Sequence, residues 1–173
     1  FARAMQPNTK VVFIETPTNP TLELVDIKAV ADIAHAHGAV LIVDNVFATA
    51  LWQKPLLLGA DLVTYSATKH IDGQGRVLGG IVLGSKALIE GDVHTFLRQT
   101  GATLSAFNAW VMVKGLETLP LRVRQMTDSA AKVADALAGH PKVEKVIYPH
   151  HPSHPQYDLA KAQMARGSTL LAF

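Results

Sequence analysis

The feature that most constrains the fold of this chain is a series of short apolar runs, each of which ends in polar residues. The runs cover 10–15, 39–43 and 61–66, and a stretch with helical spacing separates the first two. That stretch follows Asp26, a residue typical of helix N-caps, and Gly38 can end it in the left-handed conformation. Continuously apolar strands joined through a helix are typical of a parallel sheet that is covered on both faces. The sequence therefore predicts an α/β fold with a mostly parallel sheet.

The rest of the chain continues the alternation of strands and helices. Further elements are predicted by apolar spacing and by proline and glycine positions, namely a strand at 79–84 and helices at 86–99, 106–117 and 121–137. Pro120 is expected to open the last of these helices, since proline is tolerated in a first turn. Beyond it the pattern predicts a strand at 143–148, an amphipathic segment at 157–166 and a strand-like segment at 168–173.

This change of pattern near the long helix predicts a domain boundary at about residues 119–125. We expect residues 1–120 to form part of a larger domain and 121–173 to begin a smaller α+β domain. The chain has 173 residues, of which 49% are hydrophobic and 17% are charged, so it can bury a substantial core.

Polar side chains follow the predicted strands, and they include Asn19, Asp44, Ser66, Thr68 and Lys69. In open α/β sheets, ligands bind beyond the carboxyl ends of the strands. We therefore expect these five side chains to converge on one crevice.

Lys69 is the candidate nucleophile, because two hydroxyls, Ser66 and Thr68, precede it and a glycine-containing loop follows. A lysine with a lowered pKa attacks carbonyl carbons, and its Schiff base with pyridoxal phosphate (PLP) is the usual outcome. A carboxylate such as Asp44 keeps a pyridine nitrogen protonated, which makes the ring a better electron sink. The alternatives are a solvated lysine at a turn and an aspartate that caps a turn.

Other kinds of site are disfavoured. The chain has no cysteine, which excludes disulfides and thiolate chemistry. Dinucleotide-binding and Walker-type glycine loops and a Gly-x-Ser-x-Gly elbow are absent. The net charge is +2 and the basic residues are scattered, so we expect no nucleic-acid partner. No apolar run is long enough to span a membrane and no leader is visible, which favours a cytoplasmic enzyme.

The histidines do not predict a metal site. His150, His151 and His154 lie in a proline-rich loop, while His35 and His37 are two residues apart at a helix end. Two ligands on one helix face need a spacing of three or four, and no carboxylate is placed to complete either set. We expect these histidines to be solvated rather than to bind metal.

Several motifs together resemble the PLP-dependent enzymes of cysteine and methionine metabolism. They lie in order along the chain, at 15–21, 43–49, 66–69, 107–110, 115–119 and 153–157. The resemblance covers essentially the whole chain. It implies the type I, aminotransferase-like PLP fold, with a large PLP domain followed by a smaller C-terminal domain.

The resemblance also implies a role for each candidate residue. Lys69 matches the Schiff-base lysine, which moves protons between the α, β and γ carbons of the substrate. Asp44 matches the partner of the pyridine nitrogen, and Asn19 matches the asparagine that hydrogen-bonds the phenolic oxygen. Ser66 and Thr68 match the hydroxyls that hold the phosphate.

The loop at 72–76 resembles the O-succinylhomoserine sulfhydrylase branch of the family. That branch uses a small amino-acid substrate and sulfide, and sulfide replaces the succinyl group of O-succinyl-L-homoserine to give L-homocysteine. Cystathionine γ-synthase and the γ-lyases of cystathionine and methionine are the alternative branches. Glu15 and Arg76 are expected to give structural support only.

Some family features have no match in this chain. These are a Gly-Met amide pair, a tyrosine that stacks on the cofactor and a C-terminal arginine that binds the substrate carboxylate. We therefore expect the chain to be an internal segment of a longer enzyme, which the resemblance implies is a homo-oligomer, either a dimer or a dimer of dimers. A non-enzymatic alternative is an incomplete, non-catalytic structural segment of such an enzyme.

Overall fold

A four-stranded sheet forms the centre of the computed structural model, which describes all residues from Phe1 to Phe173. The strands lie in chain order, and they are β1 (Val11–Glu15), β2 (Val40–Asp44), β3 (Leu62–Ser66) and β4 (Gly80–Gly84). The first three strands are parallel, and β4 pairs with β3 in the antiparallel direction. The predicted α/β fold with a mostly parallel sheet is confirmed.

Helix α1 (Ile27–Ala36) covers one face of this sheet. The Asp26 side chain accepts a hydrogen bond from the Ala29 amide at 2.9 Å, and Gly38 has a φ of +67°, so both predicted ends of the helix are confirmed. The main core lies between α1 and the sheet, and its buried members are Val12, Ile14, Ile27, Val30, Ala31, Ala34, Ala39, Leu41, Val43, Ala60 and Val63.

The opposite face of β1 is open within this chain. Val11 and Phe13 alternate with the buried Val12 and Ile14, and they are 51% and 60% exposed. Because successive side chains of a strand point to opposite faces, α1 covers only every second residue. The expectation that both faces are covered is therefore wrong for this strand.

Short helical elements connect and follow the strands. Helix α2 (Thr49–Trp52) and a 3₁₀ turn (Pro55–Leu58) lie between β2 and β3. After β4 the chain forms α3 (Lys86–Leu88), a π turn (Ile89–Val93) and α4 (His94–Thr100), which together match the helix predicted at 86–99.

Helix α5 (Ala106–Ala138) is a single helix of 33 residues, so the prediction of two helices separated near Pro120 is wrong. Proline has no amide hydrogen to donate to the Leu116 carbonyl. The helix continues because buried residues on both sides of Pro120, including Met112 and Val123, anchor it. None of the helices, α5 included, combines the length and apolar character that a membrane span requires. The predicted division into domains at residue 120 stays a prediction.

The last part of the chain contains α6 (Tyr157–Gln163), within the predicted amphipathic segment. The strands predicted at 143–148 and 168–173 are wrong, since the two segments share only one antiparallel bridge, between Ile147 and Ala172. Val146 and Tyr148 instead pack their side chains against α5. Their apolar alternation therefore reflects contact with a helix rather than a place in a sheet.

Candidate active site

The carboxyl ends of the three parallel strands lie in register at one edge of the sheet. Glu15 is paired with Asp44, and Asp44 is paired with Thr64, two residues before the end of β3 at Ser66. The polar ends of these strands therefore lie at the same edge of the sheet, which is where ligands bind in open α/β folds.

The structure places the predicted site residues at this edge. Asp44 and Ser66 are the last residues of β2 and β3, and Thr68 and Lys69 lie on the turn after β3. Asn19 lies on the exposed loop after β1.

Two carboxylates on neighbouring strands, Glu15 and Asp44, give the site its negative charge. Glu15 Oε1 is buried and has no hydrogen-bond partner. Burial and the nearby Asp44 raise the pKa of Glu15, and a hydrogen bond with the Asn19 backbone partly offsets this. Burial also raises the pKa of Asp44, although its Oδ1 accepts a hydrogen bond from the Val46 amide at 3.0 Å. A cation placed beside these groups would offset their desolvation and repulsion.

The turn that carries Lys69 is fastened to the start of β4. The Thr68 hydroxyl accepts a hydrogen bond from the Gly79 amide at 3.1 Å, and the Thr68 amide donates to the Gly79 carbonyl at 3.3 Å. The Lys69 amide donates to the Ser66 carbonyl at 3.1 Å. The Lys69 side chain is exposed and takes part in no ion pair. Its backbone is therefore held while its amine stays accessible.

Helix α5 packs against the turn that carries Lys69. A β-carbon at Gly115 would overlap the Ile71 carbonyl oxygen, so the helix backbone directly contacts the turn. The Arg122 guanidinium donates to the His70 carbonyl at 2.8 Å and to the Gly115 carbonyl at 2.8 Å. Glycine and arginine on one helix thus fix the chain immediately after Lys69.

A buried amide network fixes the loop that follows Asp44. The Asn45 side-chain nitrogen donates to the Tyr65 hydroxyl at 2.9 Å and to the Thr49 carbonyl at 3.1 Å. The Gln53 side-chain nitrogen in turn donates to the Asn45 side-chain oxygen at 2.8 Å. Because these groups are buried and satisfied by one another, they hold the end of β2 rigidly beside β3.

Sequence reasoning missed several of these supporting residues. Glu15 was expected to be structural, yet its Oε1 is buried without a hydrogen-bond partner. Burial raises the pKa of Glu15, as it raises the pKa of Asp44. Its position at the end of a strand was a signal that could have placed it at the site. Asn45, Gly115 and Arg122 gave no such signal, because their contacts depend on partners far away in the sequence.

The family model described as "Cys/Met metabolism PLP-dependent enzyme" matches residues 1–173. The chain belongs to this family. The resemblance found in the sequence motifs is therefore confirmed, and pyridoxal phosphate is the cofactor.

Known relatives within the Cys/Met metabolism family carry different activity names. The chain is 57% identical over 173 residues to an O-succinylhomoserine sulfhydrylase of Mycobacterium tuberculosis, covering 100% of this chain and 43% of the relative. It is 46% identical over 172 residues to an L-methionine gamma-lyase of Porphyromonas gingivalis, covering 98% of this chain and 43% of that relative. The chain thus spans less than half the length of the curated relatives that it matches.

A solved structure confirms the type I PLP fold. The crystal structure of cystathionine gamma-lyase from Lactobacillus plantarum, complexed with L-serine, superposes with a TM-score of 0.95 and 36% sequence identity. The match covers 98% of this chain and 45% of that one.

The residues present fit pyridoxal phosphate. The unpaired Glu15 oxygen and the Asp44 carboxylate suit a protonated pyridine nitrogen, since both groups lack a positive partner in the chain. The exposed amine of Lys69 suits an aldehyde, and Ser66 and Thr68 offer hydroxyls at the same edge of the sheet. When bound, PLP supplies an electron sink for reactions at the carbons of an amino acid.

Proposed function

We propose that the protein containing this chain catalyses γ-replacement on O-succinyl-L-homoserine, in which sulfide displaces succinate and L-homocysteine forms. The observation that carries the proposal is the unpaired, exposed amine of Lys69 on the turn beyond β3, at the edge where Glu15 and Asp44 lack a cation. The choice of substrate is supported by the 57% identity to a named O-succinylhomoserine sulfhydrylase.

In this proposal each predicted residue has a defined task. Lys69 attaches the cofactor covalently, and its Nζ then carries protons between the α, β and γ carbons of the substrate. Asp44 binds the pyridine nitrogen, Asn19 binds the phenolic oxygen, and Ser66 and Thr68 bind the phosphate. A positioned acid and base of this kind contributes about 10²–10⁴-fold to a rate.

The electrostatics of the crevice support the assignment of Asp44. A carboxylate that is desolvated and lies close to a second carboxylate favours binding of a proton or a cation. A protonated pyridine nitrogen offsets the desolvation of the Asp44 carboxylate. Its positive charge also reduces the repulsion between Asp44 and Glu15. In the proposal, the burial that raises the pKa of both carboxyl groups also favours binding of a protonated ring.

Thr68 has two tasks in this account. Its hydroxyl already accepts a hydrogen bond from the Gly79 amide, and a hydroxyl has one hydrogen to donate as well. The structure has that hydrogen donated to the Gly79 carbonyl at 3.4 Å. In the proposal it turns instead to a phosphate oxygen, while the hydrogen bond from the Gly79 amide keeps the turn fastened to β4. Ser66 lies two residues earlier, at the end of β3.

A second candidate reaction is γ-elimination, which needs the same lysine and the same electron sink. It is supported by the 46% identity to an L-methionine gamma-lyase. Cystathionine γ-synthase activity would differ from the proposed reaction only in taking L-cysteine in place of sulfide. These reactions differ in the thiol acceptor, so product analysis separates them.

The test supplies the whole protein, loaded with PLP, with O-succinyl-L-homoserine plus sulfide, plus L-cysteine, or with no thiol. Homocysteine from the first mixture as the main product is the expected result. Mainly cystathionine from the second mixture would favour the synthase, and rapid release of 2-oxobutyrate without a thiol would favour elimination.

Two variants provide the control for this assay. Lys69→Ala should lose all turnover, whereas Lys28→Ala should keep it, since Lys28 is an exposed lysine paired with Asp32 on α1. Absence of any product from the whole wild-type protein would contradict the proposal. Turnover by the whole protein, but none by residues 1–173 alone, would support the alternative that this chain is an incomplete, non-catalytic segment.

A further inference from the structure

The residue after Lys69 forms a hydrogen bond that spans most of the chain. Nε2 of His70 lies 2.6 Å from Oγ1 of Thr169, although the two residues are 99 positions apart. Nδ1 of the same ring is buried and has no hydrogen-bond partner. The Thr169 hydroxyl is therefore the side-chain group that holds this ring.

The neighbouring hydroxyl, that of Ser168, makes a similar contact to the loop that follows β2. Ser168 is fully buried, and its Oγ donates to the Phe47 carbonyl at 3.1 Å. Phe47 lies on the loop after β2, three residues beyond Asp44. Ser168 and Thr169 thus connect one short segment to the loop after Asp44 and to the turn that carries Lys69.

The surroundings of His70 favour the neutral form of its ring. Burial and the positive charge of Arg122 lower the pKa of His70, although the Val46 backbone carbonyl opposes this effect. Arg122 also holds the His70 carbonyl oxygen, at 2.8 Å. The backbone of His70 is thus held from α5, and its ring is held separately, by Thr169.

We propose that His70 and Thr169 are a positioning pair, which holds the Lys69 turn against residues 168–169 and so sets where the Lys69 amine lies. This inference rests on the proposed function of Lys69. The pair touches neither substrate nor cofactor in this account and acts only through the backbone of the turn. Its loss should therefore affect the steps that Lys69 performs more than it affects substrate binding.

The first test measures hydrogen–deuterium exchange in the whole protein without PLP. Thr169→Val should speed amide exchange in residues 67–73 by about fivefold, the change in an opening equilibrium that one hydrogen bond of about 1 kcal/mol supplies. Thr169→Ser, which keeps the hydroxyl, should exchange like the wild type. Thr100→Val is the matched control, because it removes a threonine hydroxyl that bonds only the Phe96 carbonyl on exposed α4.

The second test uses the PLP-loaded protein and a double-mutant cycle. Thr169→Val should lower kcat several-fold with little change in KM, and Thr169→Ser should restore kcat. His70→Phe, which keeps a ring but removes both nitrogens, should have the same effect as Thr169→Val. The double variant should be no worse than either single one, because both remove the same bond.

The outcomes separate failure of the positioning pair from failure of the proposed function. Unchanged exchange in residues 67–73 in Thr169→Val, or strictly additive effects in the cycle, would overturn the positioning pair. If the wild type attaches PLP and turns over while Thr169→Val matches it in kcat, this inference alone fails. If the wild type attaches no PLP, the proposed function fails, and the role of the pair in catalysis is overturned with it.

Discussion

At the scale of single residues, the buried carboxylates of Glu15 and Asp44 lower the folding stability of the PLP-free protein. Both carboxylates have a raised pKa, mainly because burial disfavours their charged form. Glu15 also lies beside the charge of Asp44 and leaves one buried oxygen unpaired. Such a pair is unfavourable in the free protein and favourable once a positive group lies against it.

The first prediction concerns the stability of the PLP-free protein. A raised carboxyl pKa means that the folded state binds protons more tightly than the unfolded chain, so stability falls as pH rises through that pKa. At pH 7, Glu15→Gln and Asp44→Asn remove a charge that opposes folding. Each should raise Tm by about 2–4 °C, the shift expected for about 1 kcal/mol in a domain of this size.

Calorimetry at pH 7 and at a pH near the ordinary carboxyl range measures this effect. The difference from wild type should shrink at the lower pH, where the carboxylates are already protonated in the folded protein. Glu23→Gln is the control, because Glu23 is exposed. A lower Tm for both site variants at pH 7 would show that the carboxylates stabilise the free fold.

The sequence was informative about residues whose task depends on local chain geometry. Asp26 and Gly38 were predicted as helix ends because their function requires only neighbouring amides and a positive φ. Lys69 and Asp44 could be singled out because both follow apolar runs. His70 could not, since nothing near it in the sequence reveals that its ring contacts Thr169.

At the scale of elements, the contact between α5 and the Lys69 turn determines how the turn is supported. The helix backbone approaches so closely at Gly115 that no side chain fits against the Ile71 carbonyl. Arg122, two turns later on the same helix, donates to the His70 carbonyl. The turn is thus shaped by one face of α5.

The second prediction tests this close approach. Gly115→Ala should destabilise the protein by about 2 kcal/mol or more, because the added methyl group forces the helix away from the turn. Gly91→Ala is the matched control: its β-carbon would meet no atom within 4 Å. Within a helical segment the control should be neutral or stabilising by up to about 1 kcal/mol.

Urea unfolding monitored by circular dichroism measures both variants. Equal stability of Gly115→Ala and wild type would contradict the close contact between α5 and the turn. The same variant should also bind PLP more weakly, because Lys69 precedes the displaced segment by two residues.

Strands were easier to predict than the long helix. The strands β1 and β2 are apolar up to their last residue, and the short apolar run is a local signal that the sequence shows directly. In α5, the local signal at Pro120 predicts a break, but packing on both sides of the proline overrides it. Propensity alone could not show how strongly the flanking turns are anchored.

At the scale of the whole molecule, the C-terminal helix α6 is joined to the elements around the sheet by partly buried hydrogen bonds. The Gln163 side chain accepts from the Ile27 amide at 3.0 Å and donates to the Val25 carbonyl at 3.1 Å. It also donates to the Gln53 side chain at 3.0 Å. Helix α6 is therefore attached directly to the amide network beside Asp44.

The third prediction tests this attachment. Gln163→Ala should destabilise the protein by about 2–4 kcal/mol, because it leaves several partly buried groups without partners. Gln125→Ala should change stability by less than about 0.5 kcal/mol, as expected for a surface substitution. The Gln125 side chain is exposed and bonds only Ser129 on its own helix.

Unfolding followed by tryptophan fluorescence and by circular dichroism measures the effect with two probes. Coincident transitions for wild type are expected, since Trp52 donates to the Thr127 hydroxyl at 2.8 Å and so reports on both parts of the chain. Equal losses for Gln163→Ala and Gln125→Ala would contradict a structural role for this network.

Long-range contacts are what sequence reasoning lacked at this scale. The predicted strand at 143–148 was wrong because the alternation of Val146 and Tyr148 serves a helix contact. The attachment of Gln163 to Val25 joins positions 138 residues apart, and no local pattern specifies it. The order of elements could be predicted, but not the way in which the last segment closes against the site.

The most direct test of the central claim is to locate the attached cofactor. The whole protein is incubated with PLP, reduced with borohydride, digested and analysed by mass spectrometry. We expect the pyridoxyl group on the peptide that contains Lys69, and no modification above background in Lys69→Ala. Attachment to a different lysine, or no specific attachment in the wild type, would contradict the account.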